Sequence, residues 1–257
     1  MRRIKIRTID SQKTRCLLSL LFVLLLAAAS ASQKQPSRLA NAYYNRGNER
    51  YKKGDLDGAI VDFDAALTFN PRLAVAYYNR GKARNDKGDL EGSIADYSRA
   101  IEIKPHLVSA YNNRGNAKKD KGDLAGALSD FDTAIRLDPH NGPLFNNRGL
   151  VRRARGELQG AIEDYDKAIK INPRLAEAYS NRGNVRQDAG DLDGSIADYD
   201  LAIGIDPFFA KAYGNRGLAR LAQGDTSSAE RDFNQCLELD PTLRTSLHKE
   251  IEKVKQR

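Results

Sequence analysis

Small and apolar residues alternate with polar ones along this chain in a helical rhythm that is interrupted twice in every 34 residues. In the stretch Ala74–Pro105 the first half places Ala76, Tyr77, Gly81 and Arg84 on one face of a helix. The second half places Ser93, Ile94, Tyr97, Ala100, Ile101 and Ile103 at the same period. Between them Lys87-Gly88-Asp89 supplies a helix stop, a tight turn and an N-cap for the second helix. Pro105 closes the unit near the start of the next helix, where a missing N–H does little harm. The pattern predicts a helical hairpin, helix A followed by helix B. Gly81 meets Ser93 and Ala100 at the crossing, because only small side chains let two helix axes approach closely.

The hairpin recurs. The tripeptide Asn-Arg-Gly returns six times at a constant step, with its glycines at Gly47, Gly81, Gly115, Gly149, Gly183 and Gly217. The closing prolines keep the same step at Pro71, Pro105, Pro139, Pro173, Pro207 and Pro241. A period of this length marks a stack of supersecondary units, none of which buries its apolar face alone. The frames are 40–73, 74–107, 108–141, 142–175, 176–209 and 210–243, so one array spans 40–241. Residues 242–257 follow with Leu243, Leu247, Ile251 and Val254 in a narrow apolar stripe. His248, Lys249, Glu250, Glu252 and Lys253 face outward, as on a helix that caps the last exposed core face.

These positions resemble the tetratricopeptide repeat family. The aromatic near the start of helix A is Tyr43, Tyr77, Tyr111, Phe145, Tyr179 or Tyr213, and the small residue is the Gly47 series. The helix B alanine position holds Ala59, Ser93, Ala127, Ala161, Ser195 or Ala229, and the second aromatic is Phe63, Tyr97, Phe131, Tyr165, Tyr199 or Phe233. The resemblance covers all six repeats without insertion or deletion. It implies an all-α fold, a right-handed α-solenoid of six 34-residue helical hairpins plus a C-terminal capping helix. It also implies a non-enzymatic scaffold that binds proteins or peptides.

The chain departs from the family in its charges. Where the family has Leu before the glycine and Tyr three residues after it, this chain has Arg46, Arg80, Arg114, Arg148, Arg182 and Arg216, then Arg50, Arg84, Lys118, Arg152, Arg186 and Arg220. Four residues apart, the two cations stack on one face beside the core. Burying them unpaired would cost several kcal/mol each. Asp62, Asp96, Asp130, Asp164, Asp198 and Asp232 recur at the same period, just before the helix B aromatic. They predict an Arg–Asp ladder, bidentate where geometry allows; the alternative is a stripe that binds anions. A second departure is Gly in the first turn of helix B, at Gly58, Gly92, Gly126, Gly160 and Gly194. It costs roughly 0.8–1 kcal/mol against Ala, for which close helix approach is the expected compensation.

Asn45, Asn79, Asn113, Asn147, Asn181 and Asn215 precede those arginines. The resemblance implies that helix A lines a concave surface, with these side chains as a ladder along it. One amide offers both a donor and an acceptor, which matches the N–H and C=O of a peptide unit. The alternative is hydrogen bonding between repeats. Specificity is expected from neighbours: Tyr44, Tyr78, Asn112 and Asn146 one residue earlier, and Asn48, Lys82, Asn116 and Asn184 three residues later. A Lys/Asn/Arg carboxylate clamp is not supported, since Lys211 is the only Lys near the start of a helix A.

Charge and termini adjust this picture. The net charge of +8 divides unevenly, because residues 1–31 hold six basic residues and one acid. The remainder carries 36 basic and 33 acidic residues, which argues against a nucleic-acid partner. Residues 1–31 run from a basic stretch through the Leu-rich Cys16–Leu26 into Ala27-Ala28-Ala29-Ser30-Ala31, the layout of a signal peptide cleaved after Ala31 or Ala29. A short linker, 32–39, then leads into the array. The expected location is periplasmic or secreted, with no membrane association after cleavage. The alternative is a membrane-anchored assembly factor held by residues 16–33. After cleavage only Cys236 remains, at a position where other repeats have Ala, so it reads as a small core residue. His106 and His140 read as exposed turn residues. No metal-ligand spacing, phosphate loop or catalytic triad is present in the sequence, and no cofactor is expected.

Overall fold

The computed structural model describes residues 37–256, so the leader 1–31 lies outside the described residues. The first helix, α1, occupies residues 37–52 and thus begins inside the stretch read as linker. The chain divides into two compact units at Ile103/Lys104. In the first unit α1 is followed by α2 (Leu56–Phe69), α3 (Ala74–Asp86) and α4 (Leu90–Ile103). The second holds α5 (Val108–Lys121), α6 (Leu124–Leu137), α7 (Gly142–Ala154), α8 (Leu158–Ile171), α9 (Ala176–Asp188) and α10 (Leu192–Ile205). It continues through α11 (Ala210–Ala222), α12 (Thr226–Leu239), a 3-10 turn at Pro241–Leu243 and α13 (Arg244–Lys255). Odd-numbered helices up to α11 are the A helices and even-numbered ones the B helices. The fold is all-α, a solenoid of helical hairpins, with no strand among the described residues.

Each hairpin turn is built as its sequence requires. Gly54, Gly88, Gly122, Gly156, Gly190 and Gly224 all have φ between +78° and +91°, the left-handed conformation that ends helix A. The next residue caps helix B: the carboxylates of Asp55, Asp89, Asp123 and Asp191 accept from the amides of Gly58, Gly92, Gly126 and Gly194 at 2.9 Å. In the fourth repeat Glu157 takes this place and makes no such bond.

That cap corrects the expected reason for Gly58, Gly92, Gly126 and Gly194. A Cβ at Gly58, Gly92, Gly126 or Gly194 would meet the capping carboxylate at 2.1 Å, so the tightest crowding there is local; at Gly160 the nearest atom is Arg152 Cδ of helix A at 3.3 Å, as close helix approach predicts. The long side chain of helix A also crosses this turn, with Arg50, Lys118, Arg152 and Arg186 donating to the carbonyls of Gly58, Gly126, Gly160 and Gly194. At Ser228 the Asp225 carboxylate still accepts from the amide, at 3.0 Å, so a side chain is tolerated once the cap adjusts.

The helix crossing follows the sequence pattern. A Cβ added to Gly81 would lie 2.8 Å from the Tyr97 ring, and at Gly183 it would lie 2.9 Å from the Tyr199 ring. The invariant Gly therefore gives the helix B aromatic its seat, with Ala59, Ala127, Ala161 and Ala229 fully buried beside it. Between repeats of one unit, fully buried Ala83, Val151, Val185 and Ala219 fill the stack. The first repeat has Glu49 at that place, and it is exposed, so the outer end of the first unit is polar. At the other end α13 packs Leu247 onto Ala229, Phe233 and Cys236, with Leu243 and Ile251 alongside, as a cap should.

The charged positions form the expected ladder. Each Arg of the first series grips the Asp of its own repeat through Nε and Nη2, as Arg182 grips Asp198 at 3.0 and 2.6 Å. Arg46–Asp62, Arg80–Asp96, Arg114–Asp130, Arg148–Asp164 and Arg216–Asp232 repeat the geometry. The second cation, from Arg84 to Arg220, reaches the same carboxylate from the next turn. A further carboxylate lies on the preceding repeat: Asp64 pairs with Arg80, Asp132 with Arg148, Asp166 with Arg182 and Asp200 with Arg216. The Arg guanidinium also lies over the aromatic three residues before it, as Arg182 over Tyr179 at 5.6 Å. These pairings give the stripe a structural role. Burial disfavours the Arg80 charge, but the carboxylates of Asp96 and Asp64 outweigh it and raise its pKa above the usual value.

Candidate functional site

Helix A carries the asparagine series on the side away from the B helices. In the second unit successive A helices touch one another directly (α5 with α7, α7 with α9, α9 with α11), and successive B helices do not approach comparably. The A layer is therefore the tighter, inner side of that unit.

The asparagines are half-buried and joined across repeats. Asn147 Nδ2 donates to Asn112 Oδ1, Asn181 Nδ2 to Asn146 Oδ1 and Asn215 Nδ2 to Asn184 Oδ1, each at 2.9 Å. In the first unit Asn79 Nδ2 donates to the Tyr44 hydroxyl at 3.1 Å and to Asn48 Oδ1 at 2.7 Å. The alternative role, bonding between repeats, is thus realised in the structure, and five of the eight neighbours named for specificity, Tyr44, Asn48, Asn112, Asn146 and Asn184, are its acceptors. Two positions share that task. Asn112 and Asn146 sit one residue before the ladder; where Ser180 is too short to serve there, Asn184 takes over four residues later.

The bond does not exhaust the amides. Each Asn has two N–H donors and a carbonyl with two lone pairs, and the inter-repeat bond uses one N–H. Asn147, Asn181 and Asn215 keep their Oδ1 atoms and a second N–H, held in a fixed rotamer by the first bond. A row of donor–acceptor pairs pre-organised in this way faces away from the B helices.

The remaining candidates are distributed as follows. Asn45 is exposed at the outer end of the first unit. Asn113 accepts from Asn112 at 3.2 Å, and Asn116 is half-buried on the same helix. Tyr44 and Tyr78 lay their rings against Phe63 and Tyr97, at 6.1 and 5.9 Å between centroids. Lys82 is engaged too, its Nζ 4.9 Å over the Tyr51 ring. Tyr51 donates to the Asp86 carboxylate, and its phenol is pushed up to about 12, first by burial and then by that bond. Together Asn48, Tyr51, Lys52, Asn79 and Lys82 line a polar hollow of the first unit.

His106 and His140 are exposed, as expected of turn residues. Cys236 is buried and unpaired, and burial pushes its thiol pKa up, away from the reactive range. Among the described residues no cluster of three His, Cys, Asp or Glu side chains could hold a metal. No helix of the described residues is long and apolar enough to cross a membrane.

Comparison with known proteins agrees with this architecture. The family model described as "TPR repeat" matches residues 47–85, 81–122 and 149–190. Two models described as "Tetratricopeptide repeat" match residues 108–141 and 210–243, and residues 176–209. No curated protein sequence matches significantly. Among solved structures the chain is similar to MamA, with 27% identity and a TM-score of 0.55 over 67% of this chain and 94% of that one. It is also similar to YrrB, described as a TPR protein with an unusual peptide-binding site, with 24% identity and a TM-score of 0.55 over 76% of this chain and 98% of that one. Pseudomonas aeruginosa pilF shares the fold, at 18% identity and a TM-score of 0.68 over 80% of this chain and 94% of that one.

Proposed function

The chain belongs to the tetratricopeptide repeat family, and from that premise we propose that it is a non-enzymatic scaffold binding an extended peptide segment of a partner protein on its A-helix face. The observation that carries the reading is the asparagine row of the second unit. Asn147, Asn181 and Asn215 are fixed by one bond each and keep a donor and an acceptor for a peptide backbone. A row fixed before binding loses little side-chain entropy when the ligand arrives. Backbone contacts of this kind tolerate many sequences, so the side chains beside the row set preference. YrrB, whose fold this chain shares, is described as having a peptide-binding site of its own; the proposal here rests on the asparagines.

The same proposal places the protein in the cell envelope or outside the cell, on the strength of the signal-like residues 1–31. N-terminal sequencing of the protein recovered from the producing cells tests this, since a start near Ser32 supports export with cleavage. A start at Met1 supports the anchored alternative. The binding reading is tested by capture from an envelope extract with wild type and an Asn147→Ala/Asn181→Ala variant, melting temperatures measured in parallel. Loss of a captured protein by a variant that melts within about 4 °C of wild type supports it, that shift being about 1–2 kcal/mol for a chain of this size. Equal capture by both proteins moves binding to another surface.

A further inference from the structure

The last groove of the A layer differs from those before it. Between α5 and α7, α7 and α9, and α9 and α11, an asparagine bond bridges the groove. Between α11 and α13, where Leu218 and Leu247 pack in one apolar cluster, no asparagine bond does among the described residues. One repeat step beyond Asn215 stands Lys249, which is exposed. The neighbouring position is Gly214, where earlier repeats carry Tyr44, Tyr78, Asn112, Asn146 or Ser180. The groove is left open as a pocket of about 210 Å³.

The pocket is built from two matching helix faces. Lys211, Gly214, Asn215 and Leu218 line it from α11, and Leu243, Ser246, Leu247 and Glu250 from the capping segment. Its floor is Cys236, whose Sγ would lie 3.1 Å from a Cβ on Gly214. A larger residue at 214 would therefore fill the space. Leu218 replaces the polar Asn48, Lys82, Asn116 and Asn184 of other repeats, so the wall is apolar where most grooves are polar. The volume is below the roughly 300–1,000 Å³ of sites for whole small molecules, and suits one side chain. Each wall carries one charged residue: Glu250 is paired with Lys253 Nζ at 2.7 Å on its own helix, whereas Lys211 on α11 is exposed and supplies the positive charge beside the pocket. Asn215, the last member of the asparagine row, lies on the rim.

We propose that this groove receives one aliphatic side chain, Leu, Ile or Met, of the bound peptide, with an acidic neighbour toward Lys211. The inference rests on the A-face reading of the previous subsection and gives it a specificity determinant. An apolar side chain is favoured because Leu218, Leu243, Leu247 and the Cys236 thiol would strip water from a charged one, whereas Lys211 and Glu250 stand at the two walls beside them. The acidic neighbour complements the Lys211 charge.

The test is an NMR titration of the purified protein, as the cell processes it, with the capped peptide Ser-Gly-Asp-X-Lys-Gly-Ser, where X is Leu, Ala or Glu. Signals of Gly214, Leu218 and Leu247 report the pocket, and the side-chain amides of Asn147 and Asn181 report the row. The proposal expects both sets to move with X = Leu, and affinity to fall at least about tenfold for X = Ala, less than full burial of three methyl and methylene carbons allows. Ser246→Phe, at an exposed rim position, should fill the groove and abolish the preference for Leu while the asparagine signals still move. If the asparagines respond equally to Leu and Ala with the pocket signals still, the pocket assignment fails and the A-face reading stands. If neither set moves with any peptide, the A-face reading fails and the pocket assignment with it.

Discussion

Asp198→Ala is the sharpest perturbation of the fold. Asp198 is 1% exposed and accepts from Arg182 Nε and Nη2 at 3.0 and 2.6 Å and from Arg186 Nη1 at 2.9 Å. Its removal strands two guanidinium groups that are themselves largely covered. Arg182 keeps one carboxylate, that of Asp166 at 2.5 Å on the preceding repeat, and Arg186 keeps the Gly194 carbonyl and the more distant Asp191 carboxylate at 3.9 Å. Removing one member of a buried charge pair typically costs about 3–5 kcal/mol, more than the pair itself contributes. For a chain of this size that corresponds to a fall in melting temperature of roughly 6–20 °C. Asp166→Ala is the matched control: its side chain is half exposed and makes one pairing, so its loss should stay within about 1 kcal/mol. Repeat arrays need not unfold in one step, so calorimetry is paired with amide exchange on α9 and α10. Replacing all three partners together, Arg182→Met/Arg186→Met/Asp198→Leu, should recover much of the loss, because no buried charge is then left unpaired. A single variant that loses less than about 1 kcal/mol, or a triple variant as unstable as the single, would refute the account of the ladder.

Three further outcomes follow from particular residues. The Tyr165 hydroxyl is buried without a partner, because Leu150 stands where Asn184 serves Tyr199; Tyr165→Phe should therefore match or exceed wild type in thermal unfolding, whereas Tyr199→Phe should lose about 1 kcal/mol. Gly183→Ala would press a methyl onto the buried Tyr199 ring and cost about 1–3 kcal/mol, while Gly204→Ala, which meets nothing within 4 Å, should stabilise α10 by nearly 1 kcal/mol in urea unfolding. Asp62 is held below the ordinary carboxylate range by its hydrogen bond from Arg46, against the opposing effect of burial. Its contribution is thus complete above the unfolded-chain value near pH 4 and lost as pH falls through the lower folded value. The stability gap between wild type and Asp62→Asn should narrow below about pH 4 in acid unfolding; a gap constant to pH 2 would contradict this.

Much of the fold was legible because each repeat is a copy to compare with the others. The Gly47 series, the helix B aromatics and the first Asp series all keep one place, and each proved to make the same contact in every described repeat. What comparison could not give was which repeat a partner belongs to. Arg80 lies 16 residues after Asp64 and 16 before Asp96, and it bonds both. The sequence supports either pairing equally, so the link to the preceding repeat stayed hidden until the helices were stacked. The asparagines pose the same problem. Their acceptors lie 35 or 31 residues back, at positions whose residue type changes from Tyr to Asn to Ser, so no constant partner marks them. Gly58, Gly92, Gly126 and Gly194 hide a third kind of contact: their tightest crowding comes from a capping carboxylate three residues away, a matter of rotamer and not of spacing, and only Gly160 meets helix A alone.

The most direct test of the A-face account is photo-crosslinking in the producing cells, with a benzophenone amino acid placed at Asn116 on the A face or at exposed Arg136 on α6. The account predicts one discrete adduct from position 116, with the crosslink mapped by mass spectrometry to an extended segment of a second protein, and none from position 136. A discrete adduct from position 136 with none from position 116 would place binding on the B helices and contradict it.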